Sequence, residues 1–298
     1  MTEREDRPWG QGKRFEFLEW RLFWVGRLNR RDLEQQFGIS TPQASIDLRN
    51  YQEAAEGNLA YDATLKAYVR GPNFVPRFLR VSGERYLLQM RALHMGAIDL
   101  ADTWFSEAPS ADAMPTLSRK VKDEDIRTVV SAISNKTDLS INYRSFSGTR
   151  FRNIAPHCLA YDGHRWHIRA WCHEHREFRD FLLTRISEPQ IGQRSLADST
   201  ADLVWHRSAT LVICPHPDLS EEQRETIELD FGMIGGKVEI KMRLALAFYF
   251  IARNDLDKPH ADPLRQQIVL QNIDDVNDAV KKAADESKTL ATWTEPAN

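Results

Sequence analysis

From Lys13 to Leu28 the apolar residues Phe15, Leu18, Leu22 and Val25 recur at helical spacing, and Phe17, Trp20 and Trp24 widen the stripe beyond one face. The spacing predicts an amphipathic helix whose surplus apolar surface covers a second helix or a second subunit. A change of rhythm follows. Asn29 is placed to cap a short helix carrying Leu33 and Phe37, Gly38 to end it in a left-handed conformation, and Thr41-Pro42 to restart a helix with a cap and a first-turn proline. Two helices joined by a tight glycine-containing turn form a helix-turn-helix. In the second of them Ala44, Leu48 and Tyr51 share the inward face, which turns Gln43, Ser45, Ile46, Arg49 and Asn50 outward.

After Gly57-Asn58 the period shortens to two: Leu59 and Tyr61, a turn around Asp62-Ala63-Thr64, then Leu65, Ala67 and Val69, with Lys66 and Arg70 beside them. This predicts a basic hairpin, the wing of a winged helix-turn-helix. Short polar side chains at the start of the outward helix face suit base edges in a major groove, and basic wing residues suit phosphates. The base-contact candidates are Gln43, Ser45 and Arg49; the phosphate candidates are Thr41, Asn50, Lys66 and Arg70. A helical connector is expected from Ser82 to about Trp104, with Tyr86, Leu87, Met90, Leu93 and Ile98 at helical spacing. Residues 106–118 are rich in Pro, Ser and Ala and read as a linker, and 123–135 read as a short helix.

Four alternating stretches come next, 139–146, 151–161, 165–172 and 178–186, separated by turn signals at Ser147-Gly148, Asp162-Gly163 and 173–177. They predict a small, strongly bent sheet or partial barrel. Alternation sets Arg179, Phe181, Leu183 and Arg185 on one face, and Trp166, Ile168 and Ala170 opposite His167, Arg169 and Trp171. One face is then a core, to which Trp166 is assigned, and the other presents His and Arg. Beyond it, strands at 210–214, 237–244 and 267–271 alternate with helices at 219–231, 245–252 and 273–287, the first of these capped by Ser220. That order predicts a small α/β sandwich.

Composition changes this picture only when it is divided. The 298 residues are 42% hydrophobic and 28% charged, an ordinary globular balance, and the formal net charge is −3. Residues 1–80 carry 13 Lys/Arg against 11 Asp/Glu, residues 81–140 carry 7 against 9, residues 141–194 carry 9 against 5, and residues 195–298 carry 11 against 18. Near-neutrality therefore conceals a basic middle and an acidic tail. All nine basic residues of 141–194 are Arg, and five of the nine His lie there, at 157, 164, 167, 173 and 175. Arg suits bidentate recognition of phosphate, so the middle reads as an anion-binding module.

Other classes are disfavoured. No apolar run approaches the roughly 20 residues of a membrane helix, and the mixed-charge N-terminus lacks an apolar signal core, so a cytoplasmic protein without a membrane partner is expected. Cys158, Cys172 and Cys214 form no C-x-x-C pair, which suits a reducing compartment. The His and Cys spacings match no zinc signature, and no nucleophile elbow or phosphate loop accompanies them, so no catalytic residue, metal or cofactor is expected. His157 and His164, beside Pro156 and Gly163, read as turn residues, and His173-Glu174-His175 as a solvated turn.

The middle segment resembles a known family. Ile141-x-Tyr143, Gly148, Arg152, Pro156-x-x-Leu159, Trp166-His167-Ile168 after Gly163, Arg179-x-Phe181 and Arg185-Ile186 look like the WYL domain of bacterial transcriptional regulators, with W-H-I where the signature has W-Y-L. The three-part layout is most similar to BrxR/CapW-type regulators, WYL repressors that accompany phage-defence operons. The resemblance implies an Sm-like ligand-sensing sheet that binds a nucleotide or nucleic-acid fragment through Tyr143, Ser145, Arg152, His167, Arg169, Arg179 and Arg185, with Tyr143 or Trp171 as a stacking face.

The expectation is an α+β multidomain protein: a winged helix-turn-helix at 1–80, a helical connector and linker at 81–135, a WYL sheet or partial barrel at 136–194, and a dimerising C-terminal extension at 195–298. Such a chain is expected to act as a homodimeric repressor of a phage-defence operon, to read an inverted repeat in double-stranded DNA, and to be released by a nucleotide or nucleic-acid effector. The rival readings are a WYL activator responding to single-stranded DNA and a nucleic-acid-processing enzyme or defence effector.

Overall fold

The computed structural model describes residues 9–105, 108–115, 117, 119–258 and 262–293. The N-terminal eight residues and part of the expected 106–118 linker fall outside that set. The chain divides into two compact units, Met1–Leu117 and Ser118–Asn298.

In the first unit α1 (Trp9–Trp24) leads through a two-residue strand β1 (Arg27–Leu28) to α2 (Arg30–Phe37) and α3 (Thr41–Ala54). Phe15, Leu18 and Leu22 of α1 close over Leu33 of α2 and over Ala44, Leu48 and Tyr51 of α3, all buried as the periodicity requires. Gly38 takes φ +63° and ends α2. The cap of α3 is Ser40, whose hydroxyl accepts the Gln43 amide; Thr41, the expected cap, is already helical, so the helix starts one position earlier than expected. The wing is β2 (Leu59–Asp62) paired antiparallel with β3 (Ala67–Arg70), and β1 adds a third strand in the order β1-β3-β2. Asp62 holds the hairpin turn by accepting the Thr64 and Leu65 amides, while Lys66 adopts φ +51°. Where the chain leaves β3, a Cβ on Gly71 would stand 1.9 Å from the Gly57 carbonyl oxygen, so only glycine fits.

Two buried carboxylates brace this unit. Glu19 accepts the backbone amides of Arg77, Phe78 and Leu79 and the Tyr51 hydroxyl, which pins the segment after the wing to α1. Asp47 receives a two-pronged bond from Arg14, at 2.6 and 3.1 Å. The surplus apolar face of α1 is covered by a second helix, α4 (Gly83–His94), and the segment after it: Trp20 and Trp24 pack with Tyr86, Met90, Trp104 and Phe105. The connector helix is shorter than expected. It stops at His94, with Gly96 at φ +66°, so Ile98 lies past its end, and Leu87 is exposed rather than packed.

The second unit begins with α5 (Asp123–Asn135) and five strands, β4 (Thr137–Ser145), β5 (Gly148–Tyr161), β6 (Trp166–Cys172), β7 (Glu177–Leu182) and β8 (Ile186–Arg194), antiparallel in the order β7-β6-β5-β4-β8. The last strand was not expected. Pro189 and Gly192 mask it, and a proline is tolerated there because β8 is an edge. The bend is real: the Tyr143 hydroxyl on β4 accepts the Leu182 amide at the end of β7, with two strands between them in the sheet, and its ring meets Phe181 at 5.2 Å. Val129 and Ala132 of α5 pack onto Leu139, Ile141, Ile154, Ile168, Ala170 and Phe181. Trp166 shares their face by alternation but sits at the end of β6 beyond this core, 51% exposed against Tyr161, and not in the core as expected.

The C-terminal part adds α6 (Leu203–His206), β9 (Ser208–Pro215), α7 (Glu221–Asp230), β10 (Val238–Arg243), α8 (Leu244–Arg253), β11 (Ile268–Leu270) and α9 (Ile273–Leu290). Its sheet runs β10-β9-β11, with Leu211, Ile213, Ala247, Ile251 and Val276 at its centre. Ser220 caps α7 as expected.

Candidate nucleic-acid interface and effector surface

On α3 the exposed side chains are Thr41, Pro42, Ile46, Arg49, Gln52 and Glu53, with Ser45 and Asn50 half-exposed. Ser45 donates to the Thr41 carbonyl oxygen and accepts from Arg30 Nη1 at 3.3 Å. Arg30 is therefore part of this surface, a cation that sequence reasoning missed although the Arg30-Arg31 pair at the start of α2 announces it. Gln43 behaves differently from its neighbours. It is half-buried and its amide donates to buried Asp47, so it stabilises the helix packing from the rim of the surface. Lys66 and Arg70 of the wing are exposed, and Arg27 of β1 is a further exposed cation in the same small sheet. The face so built is polar, with basic residues on three separate elements.

The effector candidates fall on two opposite faces of the large sheet. Register pairs Ile141 with Arg152, Ile168 with Phe181 and Ala170 with Arg179, so Tyr143, Arg152 and Arg179 share the face that α5 covers in part. Arg152 and Arg179 lie together near its rim: burial first, and then their two positive charges, hold the His175 imidazole below its ordinary pKa. Arg179 is exposed and pairs with Glu177. Arg185 stacks 4.6 Å over the Phe146 ring, which is almost wholly exposed at the tip of the β4–β5 hairpin, beside Ser145.

His167 and Arg169 occupy the other face, and the structure buries both. Sequence reasoning set them on an open surface; the C-terminal part covers it. Arg169 donates from Nε and Nη2 to both oxygens of Asp202, at 2.7 and 2.9 Å, and from Nη1 to Asp180 at 3.3 Å. Asp202 also meets His157 Nε2 at 3.0 Å and accepts the Trp205 amide at the start of α6. His167 Nε2 lies 2.8 Å from Asp162, and its ring packs on Tyr249 of α8, whose hydroxyl donates to Asp180. His157 is thus a strand residue in an ion network rather than a turn residue. Trp171, expected as a stacking face, is enclosed by Phe178 and Trp293.

The electrostatics match this geometry. Burial pushes the Asp202 carboxyl up, but the bonds from Arg169 and His157 outweigh it and hold the group at about 2. Burial likewise pushes the Asp162 carboxyl up, but the bonds from His167, His164 and Arg165 outweigh it, and the group ends well below the usual carboxylate range. Burial would pull the Arg169 guanidinium down, yet Asp202 and Asp180 carry it above its ordinary value. Cys158 is pushed up to about 12 by burial and by the Asp202 charge, so its thiol is inert. The expected solvated turn at 173–175 is more ordered than that. Cys172, Glu174 and His175 bring three donor atoms within 4.8 Å, where the thiol donates to Glu174 and touches His175. No helix among the described residues is long and apolar enough to cross a membrane.

Comparison with known proteins divides the chain in the same order. The BrxR transcriptional regulator winged helix-turn-helix domain matches residues 10–92, the WYL domain matches 124–191, and the BrxR transcriptional regulator C-terminal dimerization domain matches 208–276. The DNA-binding transcriptional repressor CapW of Stenotrophomonas maltophilia is 33% identical over 282 residues, covering 93% of this chain and 94% of that protein. Its counterpart in Pseudomonas aeruginosa is 36% identical over 285 residues, with 93% and 94% covered. That of Escherichia coli (strain KTE188) is 34% identical over 284 residues, with 94% and 95% covered.

Proposed function

The chain belongs to the family of CapW transcriptional repressors, and from that premise we propose that it is a homodimeric, sequence-specific repressor whose two winged heads read the half-sites of an inverted repeat. The family is one of regulators rather than enzymes. The observation that carries the reading is the outward face of α3, where Ser45, bonded to Arg30, and Arg49 stand clear of the core, while the wing cations Lys66 and Arg70 are exposed. Arg49 and Ser45 contact base edges; Thr41, Asn50, Lys66 and Arg70 contact phosphates, with Gln43 at the rim. Two heads double the phosphate contacts, which offsets the low net charge of each. The C-terminal part, matched by a dimerization domain, joins the protomers.

Release belongs to the middle sheet. An anionic effector, a nucleotide or nucleic-acid fragment, is held by Arg152, Arg179 and Arg185, with Tyr143 and Ser145 beside them, while His167 and Arg169 transmit the change through the carboxylates of the C-terminal part. The effector must bind one dimer geometry better than the other to shift the heads. The operon controlled is a phage-defence operon, as the family likeness suggests, and the protein acts in the cytoplasm.

A gel-shift titration against the DNA upstream of the protein's own gene tests the core of the proposal. Arg49→Ala is expected to weaken operator binding by about 1–3 kcal/mol and to relax sequence preference. Unchanged affinity in that variant overturns the assignment of α3 as the reading helix.

A further inference from the structure

The first unit holds a cavity that neither the DNA-reading face nor the effector sheet uses. It opens between α1, α4 and the segment at Trp104, and its volume is about 220 Å³. Trp20, Trp24, Tyr86 and Trp104 form aromatic walls. These flat groups meet at mixed angles: Trp20 stands at 77° to Trp104 and at 79° to Phe105 but near parallel to Tyr86, at 17° and 6.2 Å, and Trp24 and Tyr86 lie as a tilted pair 4.3 Å apart. Rings meeting at such angles leave a gap that aliphatic side chains would fill.

Charge at the rim gives the gap a chemistry. Arg80 and Arg85 line the opening, and both side chains are exposed with no carboxylate partner among the described residues. Lys13 adds a third cation, but it is already shared between Glu16, 3.1 Å away, and the face of Trp104. Asp102 is the carboxylate at the rim, and one of its oxygens accepts the Asp99 amide. Two free guanidinia above an aromatic floor suit a flat ring bearing a phosphate: the ring stacks on indole or phenol and the phosphate takes bidentate bonds from Arg. The volume is below the roughly 300–1,000 Å³ of drug-sized sites, so a single base fits and a strand does not.

We propose that this cavity is a mononucleotide-binding site in the DNA-reading unit, separate from the effector surface on the sheet. Its walls come from α1, which carries the helix-turn-helix core, and from α4, which leads away from it. An occupant therefore ties the two helices together and raises the melting temperature of the unit. Deoxynucleoside monophosphates, with dAMP as the reference probe, are titrated into the full-length protein and followed by tryptophan fluorescence and calorimetry. Saturable quenching is expected with dAMP, and markedly weaker binding with deoxyadenosine or deoxyribose 5-phosphate, each of which supplies half of the recognition. The double variant Arg80→Ala/Arg85→Ala is expected to lose at least about tenfold in affinity while keeping its fold, because both residues are exposed. Gln89→Trp, which fills the hole from α4, is expected to abolish binding. No saturable binding in the millimolar range, dAMP affinity untouched by the double variant, or equal binding of inorganic phosphate would each overturn the proposal.

Discussion

The reading unit and the middle sheet invert the order that their charges suggest. Residues 1–80 carry a surplus of only two positive charges, yet Arg27, Arg49, Lys66 and Arg70 stand exposed on the helix and wing that form its outer face. The 141–194 segment has nine Arg and five His, but Arg169, His157 and His167 are consumed by Asp162, Asp180 and Asp202. What separates them is where the carboxylates come from. In the reading unit the buried acids are satisfied by backbone amides at Glu19 and by a single Arg at Asp47. In the second unit Asp202, outside the sheet altogether, collects one Arg and one His from it. A count of cations along a chain thus measures potential for anion binding, and the fold decides how much of it remains free.

The sharpest way to break this contrast is Asp202→Ala. It leaves the Arg169 guanidinium buried with only the longer contact to Asp180, and loss of one partner of a buried pair costs about 3–5 kcal/mol. Equilibrium urea unfolding of the full chain measures it; a loss below 1 kcal/mol would mean that Arg169 is available to a ligand after all. Acid offers a milder version of the same test. Asp202 titrates at about 2 when folded and near 3.9 when unfolded, a depressed value, so its contribution is present above about pH 4 and fades as pH falls toward 2. That window is expected to remove about 2 kcal/mol from the second unit, with Asp162 acting in the same direction. Asp202→Asn flattens the dependence; a stability profile unchanged by that variant excludes the network as its source.

On the other side of the contrast, the exposed cations of the reading unit are expected to matter for DNA and hardly at all for folding. Lys66→Ala should weaken binding to every sequence alike, by less than Arg49→Ala, and lower the salt slope by about one ion. Competition gel shifts at several salt concentrations separate the two. If Lys66→Ala instead alters sequence preference, the wing reads bases and the division of roles is wrong.

Local rules made much of this legible. The α1 stripe, the Gly38 stop, the wing and the alternation of strands and helices after residue 208 all follow from spacing and caps that neighbouring residues enforce on one another. What escaped depends on distant partners. β8 hid behind Pro189 and Gly192 because only its edge position makes a proline acceptable. His167 and Arg169 alternate correctly with Ile168, so their shared face was readable; that α6 and α8 would cover it was not, because Asp202 lies 33 positions beyond Arg169 and Tyr249 lies 82 beyond His167. The same limit applied to Trp166, whose face was right and whose distance from the core centre was not.

The smallest expected effect is the most discriminating. Arg179 and Arg169 lie on adjacent strands of one sheet, pointing to opposite faces, and composition treats them as equals. Arg179 is exposed, and its pair with Glu177 is a surface ion pair; Glu177 also keeps Lys288 at 3.6 Å as a second cation. Arg179→Ala is therefore expected to change stability by no more than about 0.5 kcal/mol and to leave operator affinity unchanged. Urea unfolding of Arg179→Ala beside Arg169→Ala makes the comparison direct, since the latter leaves Asp202 buried with His157 as its remaining side-chain partner among the described residues. Equal losses in the two variants would dissolve the distinction between spent and free arginines. A silent Arg179→Ala beside a strongly destabilised Arg169→Ala would locate the sheet's capacity for an anionic effector on the Arg179 face.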